Sequence, residues 1–124
     1  MNKLSNLIEL LGIQTVSVSK TKVIISLEVT DSVKQPYGIV HGGINSVLAE
    51  TAASIGANGL LDSDRYAVGI NISTQHLMPA KSGTLVATAE PLHVGNRIQT
   101  WQVEIANNNV LTSTSVVTLT TLKK

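Results

Sequence analysis

Residues 41–59 read HGGINSVLAETAASIGANG, and this stretch decides the fold. One face carries larger side chains at helical spacing, and a second strip carries small ones. The larger face holds Ile44, Val47, Leu48, Thr51 and Ile55, and the small strip holds Gly42, Ser46, Ala49, Ala53 and Ala57. The pattern predicts one long helix that ends near Asn58-Gly59 and is enclosed by the rest of the chain.

The flanking segments have the two-residue period of β-strands. Residues 16–18 and 23–29 alternate around a turn, after a short N-terminal helix that ends at Gly12. That helix is predicted from Leu4, Leu7, Ile8 and Leu11. Four further strands are predicted over 66–73, 84–90, 98–106 and 110–121. In the first of these, Ala67, Gly69 and Asn71 are expected to oppose Val68, Ile70 and Ile72.

Short connections between consecutive strands predict that neighbouring strands are antiparallel. The order of the elements therefore favours an α+β hotdog fold, in which a curved antiparallel sheet wraps around the long central helix. A ferredoxin-like fold is the main alternative, but it would need a second crossover helix between the later strands, and no such pattern is visible. We expect residues 1–124 to form a single domain of this kind.

The composition argues against several classes of function. A formal net charge of +1 and an aromatic content of 2% disfavour binding to duplex or single-stranded nucleic acid. The chain has no cysteine, and its three histidines lack the spacing of metal ligands. No apolar run approaches the ~18 residues that span a membrane, and no signal peptide is recognisable. We expect a cytoplasmic protein without a metal, a nucleic-acid partner or a membrane partner.

The candidate catalytic residues lie on the long helix and just before it. Glu50 is a carboxylate near the border of the apolar face of an otherwise almost uncharged helix, and Ser54 follows one turn later. His41-Gly42-Gly43 opens the helix, where free backbone N–H groups could stabilise an oxyanion. Gln35, on the preceding loop, could donate to the same carbonyl oxygen. Each also has an ordinary structural interpretation, as a solvated helix flank, a flexible turn or a surface loop.

The distance along the helix separates these candidates into two groups. Eight residues from Gly42 to Glu50 correspond to ~12 Å, whereas a base or nucleophile must lie ~3–3.5 Å from its target atom. Gly42 and Glu50 of one chain therefore cannot serve the same carbonyl group. If both are catalytic, two antiparallel copies of the helix must lie side by side in a homodimer. The small strip is expected to permit their approach.

Five segments, in order and at fixed spacing, carry a family resemblance. They are QPYGIVHGG at 35–43, LAETAAS at 48–54, VGINISTQH at 68–76, PLHVGNR at 91–97 and WQVEI at 101–105. Together they resemble the hotdog-fold thioesterases of the phenylacetate-pathway type. The most similar subgroup acts on aromatic thioesters, among them dihydroxynaphthoyl-CoA of menaquinone synthesis. The chain departs from the family at Leu77-Met78-Pro79, where a more basic run is usual.

The resemblance implies an acyl-CoA thioesterase whose site is shared between subunits. Glu50 would be the catalytic carboxylate, which either attacks the thioester or activates water. Gly42 would give its backbone N–H to the thioester carbonyl, with Gln35 and His41 as supporting polar residues. Ser54 would position the water. The family also implies a homodimer that pairs into a homotetramer, and no cofactor beyond the CoA of the substrate.

The same resemblance implies residues that bind the substrate. His76 is similar to a residue that lines the acyl pocket, and Tyr37 lies in the loop motif that is expected to contact the substrate. Gly95 and Arg97 resemble the segment that meets the CoA nucleotide, where a guanidinium group suits phosphate. Two alternatives remain open: a non-catalytic acyl-CoA binding protein of this fold, and a hydratase or dehydratase.

Overall fold

The computed structural model describes residues 6–124 as one long helix, two short helical segments and six strands. The helices are α1 (Leu7–Leu11), a 3-10 turn (Asp31–Val33) and α2 (Gly42–Asn58). The strands are β1 (Gln14–Val18), β2 (Val23–Glu28), β3 (Arg65–His76), β4 (Thr84–Val94), β5 (Ile98–Asn107) and β6 (Val110–Lys123). Gly12 ends α1 in the left-handed conformation (φ 73°), as predicted, whereas Leu4 lies outside the described residues.

The six strands form one antiparallel sheet in the order β1-β2-β4-β5-β6-β3. The sheet curves around α2, which contacts β2, β3, β4, β5 and β6. The predicted α+β hotdog architecture is confirmed, and the ferredoxin-like alternative fails because no crossover helix follows α2 within residues 60–124. No helix in the described part of the chain is both long and apolar enough to cross a membrane.

The small strip of α2 packs against the sheet of its own chain. Ala49, Ala53 and Ala57 are fully buried there, so they cannot provide the surface for a partner's helix. The expectation that this strip permits the approach of a second helix is therefore wrong. Small side chains instead bring the helix backbone close to its own sheet, while the larger Ile44 and Val47 on the opposite side stay half-buried.

Trp101 of β5 sets how closely the last turns of α2 approach the sheet. Its ring lies against Gly56, where an added Cβ would clash with the indole atoms. The indole Nε1 donates a 2.9 Å hydrogen bond to Gln99 Oε1, and Gln99 Nε2 donates to the Ala57 carbonyl at 3.4 Å. Trp101 and Gln99 are both buried, so these bonds satisfy polar atoms that would be costly without partners.

A β-bulge in β3 changes which residues face α2. Ile70 is skipped in the pairing of β3 with β6, between Gly69 and Asn71. The predicted alternation, with odd-numbered residues on one face of β3, holds as far as Gly69. Beyond Gly69 it is wrong, because the even-numbered residues now take the face that the odd-numbered ones had, which is the face towards the helix. Thr74 Oγ1, for example, lies 3.0 Å from Ser46 Oγ of α2. The bulge thus directs a polar stretch of β3 towards the first half of the helix.

Replacing Gly56 by alanine tests the close contact with Trp101. The added methyl group must displace the indole, and overpacking of this kind costs about 1–3 kcal/mol, which exceeds the gain of about 1 kcal/mol in helix propensity. We expect Gly56→Ala to lower the free energy of unfolding, measured by urea denaturation at a fixed protein concentration.

Gly59→Ala is the matched control, because Gly59 has helical backbone angles and its added methyl meets only backbone oxygens at 3.4 Å. This variant should be as stable as the wild type or slightly more stable. Equal stability of the two variants would contradict the role given to Trp101.

Candidate active site

The first turn of α2 leaves the backbone N–H of Gly42 free. His41 is the N-cap residue, and its Nδ1 accepts a 2.9 Å hydrogen bond from the N–H of Gly43. The N–H of Ile44 bonds to the His41 carbonyl at 2.9 Å. The N–H of Gly42 finds no acceptor within residues 6–124. Local capping therefore leaves an unused donor at the positive end of the helix dipole, as an anion hole requires.

The loop before α2 presents the amide of Gln35. The Gln35 N–H donates to the Ile39 carbonyl at 2.8 Å and the Gly38 N–H donates to the Gln35 carbonyl at 3.0 Å, so the loop closes tightly. Gln35 Oε1 accepts a hydrogen bond from the N–H of Tyr37. The NH2 group of Gln35 forms no hydrogen bond within residues 6–124 and can therefore donate to a ligand. The Tyr37 side chain lies at the tip of the loop and is 90% exposed.

Gln35 and Gly42 line one cavity together with His76 and Asn45. Its volume is about 420 Å³. The His76 imidazole lies directly against Gly42, since an added Cβ there would be 3.0 Å from His76 Cε1. The remaining lining is largely apolar and consists of Ile39, Val40, Leu77, Met78, Pro79, Ala80 and Thr112. The cavity therefore combines donors at one wall with an apolar wall that could take an acyl group.

Glu50 lies on a separate surface of the same helix. It is half-buried and lines a cavity of about 540 Å³ with Ser54 and with Leu7 and Ile8 of α1. The ion pairs among residues 6–124 are Lys34–Asp31 and Arg65–Asp62, so neither involves Glu50. The structure brings Glu50 and Ser54 together, as the sequence suggested, and holds both away from the Gly42 cavity.

Gly69 is a further residue of this region, which reasoning from sequence missed. An added Cβ at Gly69 would collide with Glu50 Oε2, so the carboxylate lies directly over the backbone of β3 at this point. A single glycine within a strand pattern often marks such a close approach, and this signal was present in VGINI at 68–72. Glycine here makes room for Glu50 just before the bulge.

The remaining predicted residues lie outside both cavities. Gly95 and Arg97 are in the turn between β4 and β5, where the Gly95 N–H donates to the Ile98 carbonyl at 2.8 Å. The Arg97 side chain is exposed. This turn lies towards the C-terminal end of α2, because Gln99 reaches Ala57. Within residues 6–124, no group of three or more His, Asp or Glu side chains could hold a metal ion.

A family model described as thioesterase superfamily matches residues 37–113. The chain belongs to this superfamily. The matched span includes the free N–H of Gly42, the carboxylate of Glu50 and the imidazole of His76. This thioesterase is therefore a thioester hydrolase, and the predicted family is confirmed.

Known proteins resemble the thioesterase in sequence and in structure. It is 44% identical over 99 residues to the 1,4-dihydroxy-2-naphthoyl-CoA hydrolase of Listeria monocytogenes, with 80% of each chain covered. A thioesterase structure from Haemophilus influenzae has a TM-score of 0.90 and 32% identity, covering 94% of this chain and 82% of that one. A thioesterase from Staphylococcus aureus has a TM-score of 0.92 and 33% identity, covering 95% and 98%.

Replacing Gly69 by alanine tests whether the position of Glu50 matters for hydrolysis. The new methyl group forces the carboxylate away from β3, and a misplacement of ~1 Å at a reacting group can lower a rate ~100-fold. We expect kcat for acyl-CoA hydrolysis, followed by thiol release, to fall at least ~10-fold. Gly59→Ala adds the same methyl group away from any side chain and should keep the wild-type rate. Full activity of Gly69→Ala would show that the Glu50 position is unimportant.

Proposed function

We propose that this thioesterase hydrolyses an aromatic acyl-CoA to the free acid and CoA at a site built from two chains. The observation that carries the proposal is that hydrogen-bond donors and a carboxylate lie at separate places along α2. Its first turn has a free N–H at Gly42 beside the donor amide of Gln35, whereas the carboxylate of Glu50 lines another cavity. Each chain thus holds two half-sites of complementary chemistry.

In the proposed reaction the thioester carbonyl oxygen accepts hydrogen bonds from Gly42 N–H and Gln35 Nε2. Gln35 and Gly42 line one cavity, which supports this pairing, and a donor of this kind is worth about 3–4 kcal/mol in the transition state. Glu50 of the other chain either attacks the carbonyl carbon or removes a proton from the attacking water. Ser54, one turn beyond Glu50, positions that water. The C–S bond then breaks and CoA leaves as its thiol. In the base route the sulfur takes the proton that Glu50 removed from water; in the nucleophilic route water hydrolyses the mixed anhydride formed with Glu50 and supplies that proton.

The exposed edge of the sheet supports the homodimer. β3 is an edge strand of 12 residues, and a long unpaired edge is a template for pairing with another chain. Because α2 packs on β3, pairing of two β3 strands about a two-fold axis places the two helices antiparallel and near each other. Glu50 of each chain would then face the partner's helix start. Association of two such dimers into a homotetramer is part of the proposal on the family resemblance alone, and the cytoplasmic location is part of it as the expectation from composition.

Two relatives support the choice of substrate and residues. The Listeria monocytogenes relative is named for an aromatic acyl-CoA, 1,4-dihydroxy-2-naphthoyl-CoA. The Staphylococcus aureus protein has been crystallised with a glutamine and, separately, a glutamate replaced by alanine. These two positions are the same number of residues apart as Gln35 and Glu50. The apolar wall formed by Ile39, Leu77 and Met78 suits a flat ring in the Gly42 cavity.

Mixing two inactive variants tests the shared site. Glu50→Gln removes the carboxylate, and Gln35→Ala combined with Gly42→Ala damages the donor cavity. After unfolding and refolding of an equal mixture, half of the dimers should contain one of each chain, with one intact site in each mixed dimer. We expect recovery of about a quarter of the wild-type hydrolysis rate.

The control mixes Glu50→Gln with Glu50→Ala, which damage the same half-site and should recover nothing. Native mass spectrometry of isotopically labelled chains shows whether mixed dimers form. Formation of mixed dimers without recovered activity would refute the two-chain site. Full hydrolytic activity of Glu50→Gln alone would instead point to a different catalytic group.

A panel of acyl-CoA substrates tests the proposed acyl group. We expect kcat/KM to be higher for benzoyl-CoA and naphthoyl-CoA than for straight-chain acyl-CoAs of similar carbon number, measured by free-thiol release. Replacing Met78 by lysine places a charged group on the apolar wall of the cavity and should lower kcat/KM for the aromatic substrates most strongly. A preference for straight chains would contradict this part of the proposal.

A further inference from the structure

Asn45 is a buried polar residue on the face of α2 that packs against the sheet. Only 8% of it is exposed, and its neighbours on this face are mainly alanine and leucine. A buried side-chain amide is costly unless it forms hydrogen bonds, so the group that Asn45 bonds indicates the role of Asn45. Asn45 Nδ2 lies 3.1 Å from His76 Nδ1 at the end of β3.

This contact determines which nitrogen of His76 carries the proton. With Nδ2 of the Asn45 amide facing the ring, an NH2 group that can only donate makes His76 Nδ1 the acceptor of this bond. A neutral imidazole has one donor and one acceptor nitrogen, and the second nitrogen, Nε2, therefore carries the hydrogen.

The ring of His76 lies against Gly42. An added Cβ at Gly42 would be 3.1 Å from His76 Nε2, so this nitrogen is next to the residue whose backbone N–H has no acceptor. Gln35 lines the same cavity with its NH2 group free to donate. An Nε2–H on His76 makes a third donor on the polar wall of this cavity.

We propose that Asn45 is a positioning residue that holds His76 in the Nε2–H tautomer, so that His76 donates a hydrogen bond to an acceptor oxygen of the bound thioester. This inference rests on the proposed function for the identity of the ligand, but not for the tautomer. The Asn45–His76 contact also fixes the ring in place, because the two residues belong to different elements, α2 and β3. Asn45 thus acts on the substrate through His76. In metal sites, a residue that bonds the second ring nitrogen of a metal-binding histidine orients the ring in the same way.

Nuclear magnetic resonance of histidine labelled with ¹⁵N tests the tautomer without substrate. We expect Nε2 of His76 to have the chemical shift of a protonated nitrogen and Nδ1 that of an unprotonated one; His76→Gln assigns the signals. In Asn45→Asp the carboxylate can only accept, so Nδ1 should become protonated. Asn45→Leu, of similar size, removes the bond without reversing it and should give a mixture of tautomers. A protonated Nδ1 in the wild type, or an unchanged tautomer in Asn45→Asp, would overturn the inference.

A double-mutant cycle tests the effect on hydrolysis. Loss of one pre-positioned donor lowers a rate ~100- to 1000-fold in measured cases, so we expect Asn45→Asp to lower kcat/KM for benzoyl-CoA at least ~10-fold. In a His76→Ala background the same change should have almost no further effect, because Asn45 then has nothing to position. An equal loss in both backgrounds would show that Asn45 is only structural. Absence of any wild-type hydrolysis would refute the proposed function, while the tautomer measurement would still decide the inference.

Discussion

The close packing of a helix against its own sheet is the constraint on which the other features depend. Alanine and glycine on the inner face of α2 let its backbone approach the strands. At the C-terminal end of the helix, the contact of Trp101 with Gly56 sets the distance between α2 and the sheet. At that distance Glu50 collides with anything larger than glycine at position 69, and the start of the helix contacts His76. Larger side chains on this face would move α2 away from the sheet and break all these contacts.

The rigid geometry of the helix then divides the chemistry into two halves. Its first turn offers donors: His41 caps Gly43 and leaves Gly42 N–H free, while Gln35 lines the same cavity. Its middle offers the acid, Glu50, about two turns later. A helix cannot bend to bring these groups together, so a second chain is the simplest way to use both. This is the physical reason for tying the proposed activity to the homodimer.

Much of this was predictable from sequence because it depends on local pattern. The helix bounds follow from HGG and NG at its ends, the strands follow from a two-residue period, and the separation of Gly42 from Glu50 follows from counting residues. The surface that the small strip of α2 would meet was predicted wrongly. Periodicity locates a face, but it does not say whether small residues meet the chain's own sheet or a partner.

The sequence alone determined the fold class, the long helix and the pairing of a carboxylate with a glycine-rich helix start, because these depend on neighbours along the chain. Only the tertiary structure decided that Gly69 lies under Glu50 and that Asn45 reaches His76. Both contacts join α2 to β3, and the bulge at Ile70 shifts the strand by one residue between them. A one-residue shift reverses the faces of a strand, and no local pattern predicted where it occurs.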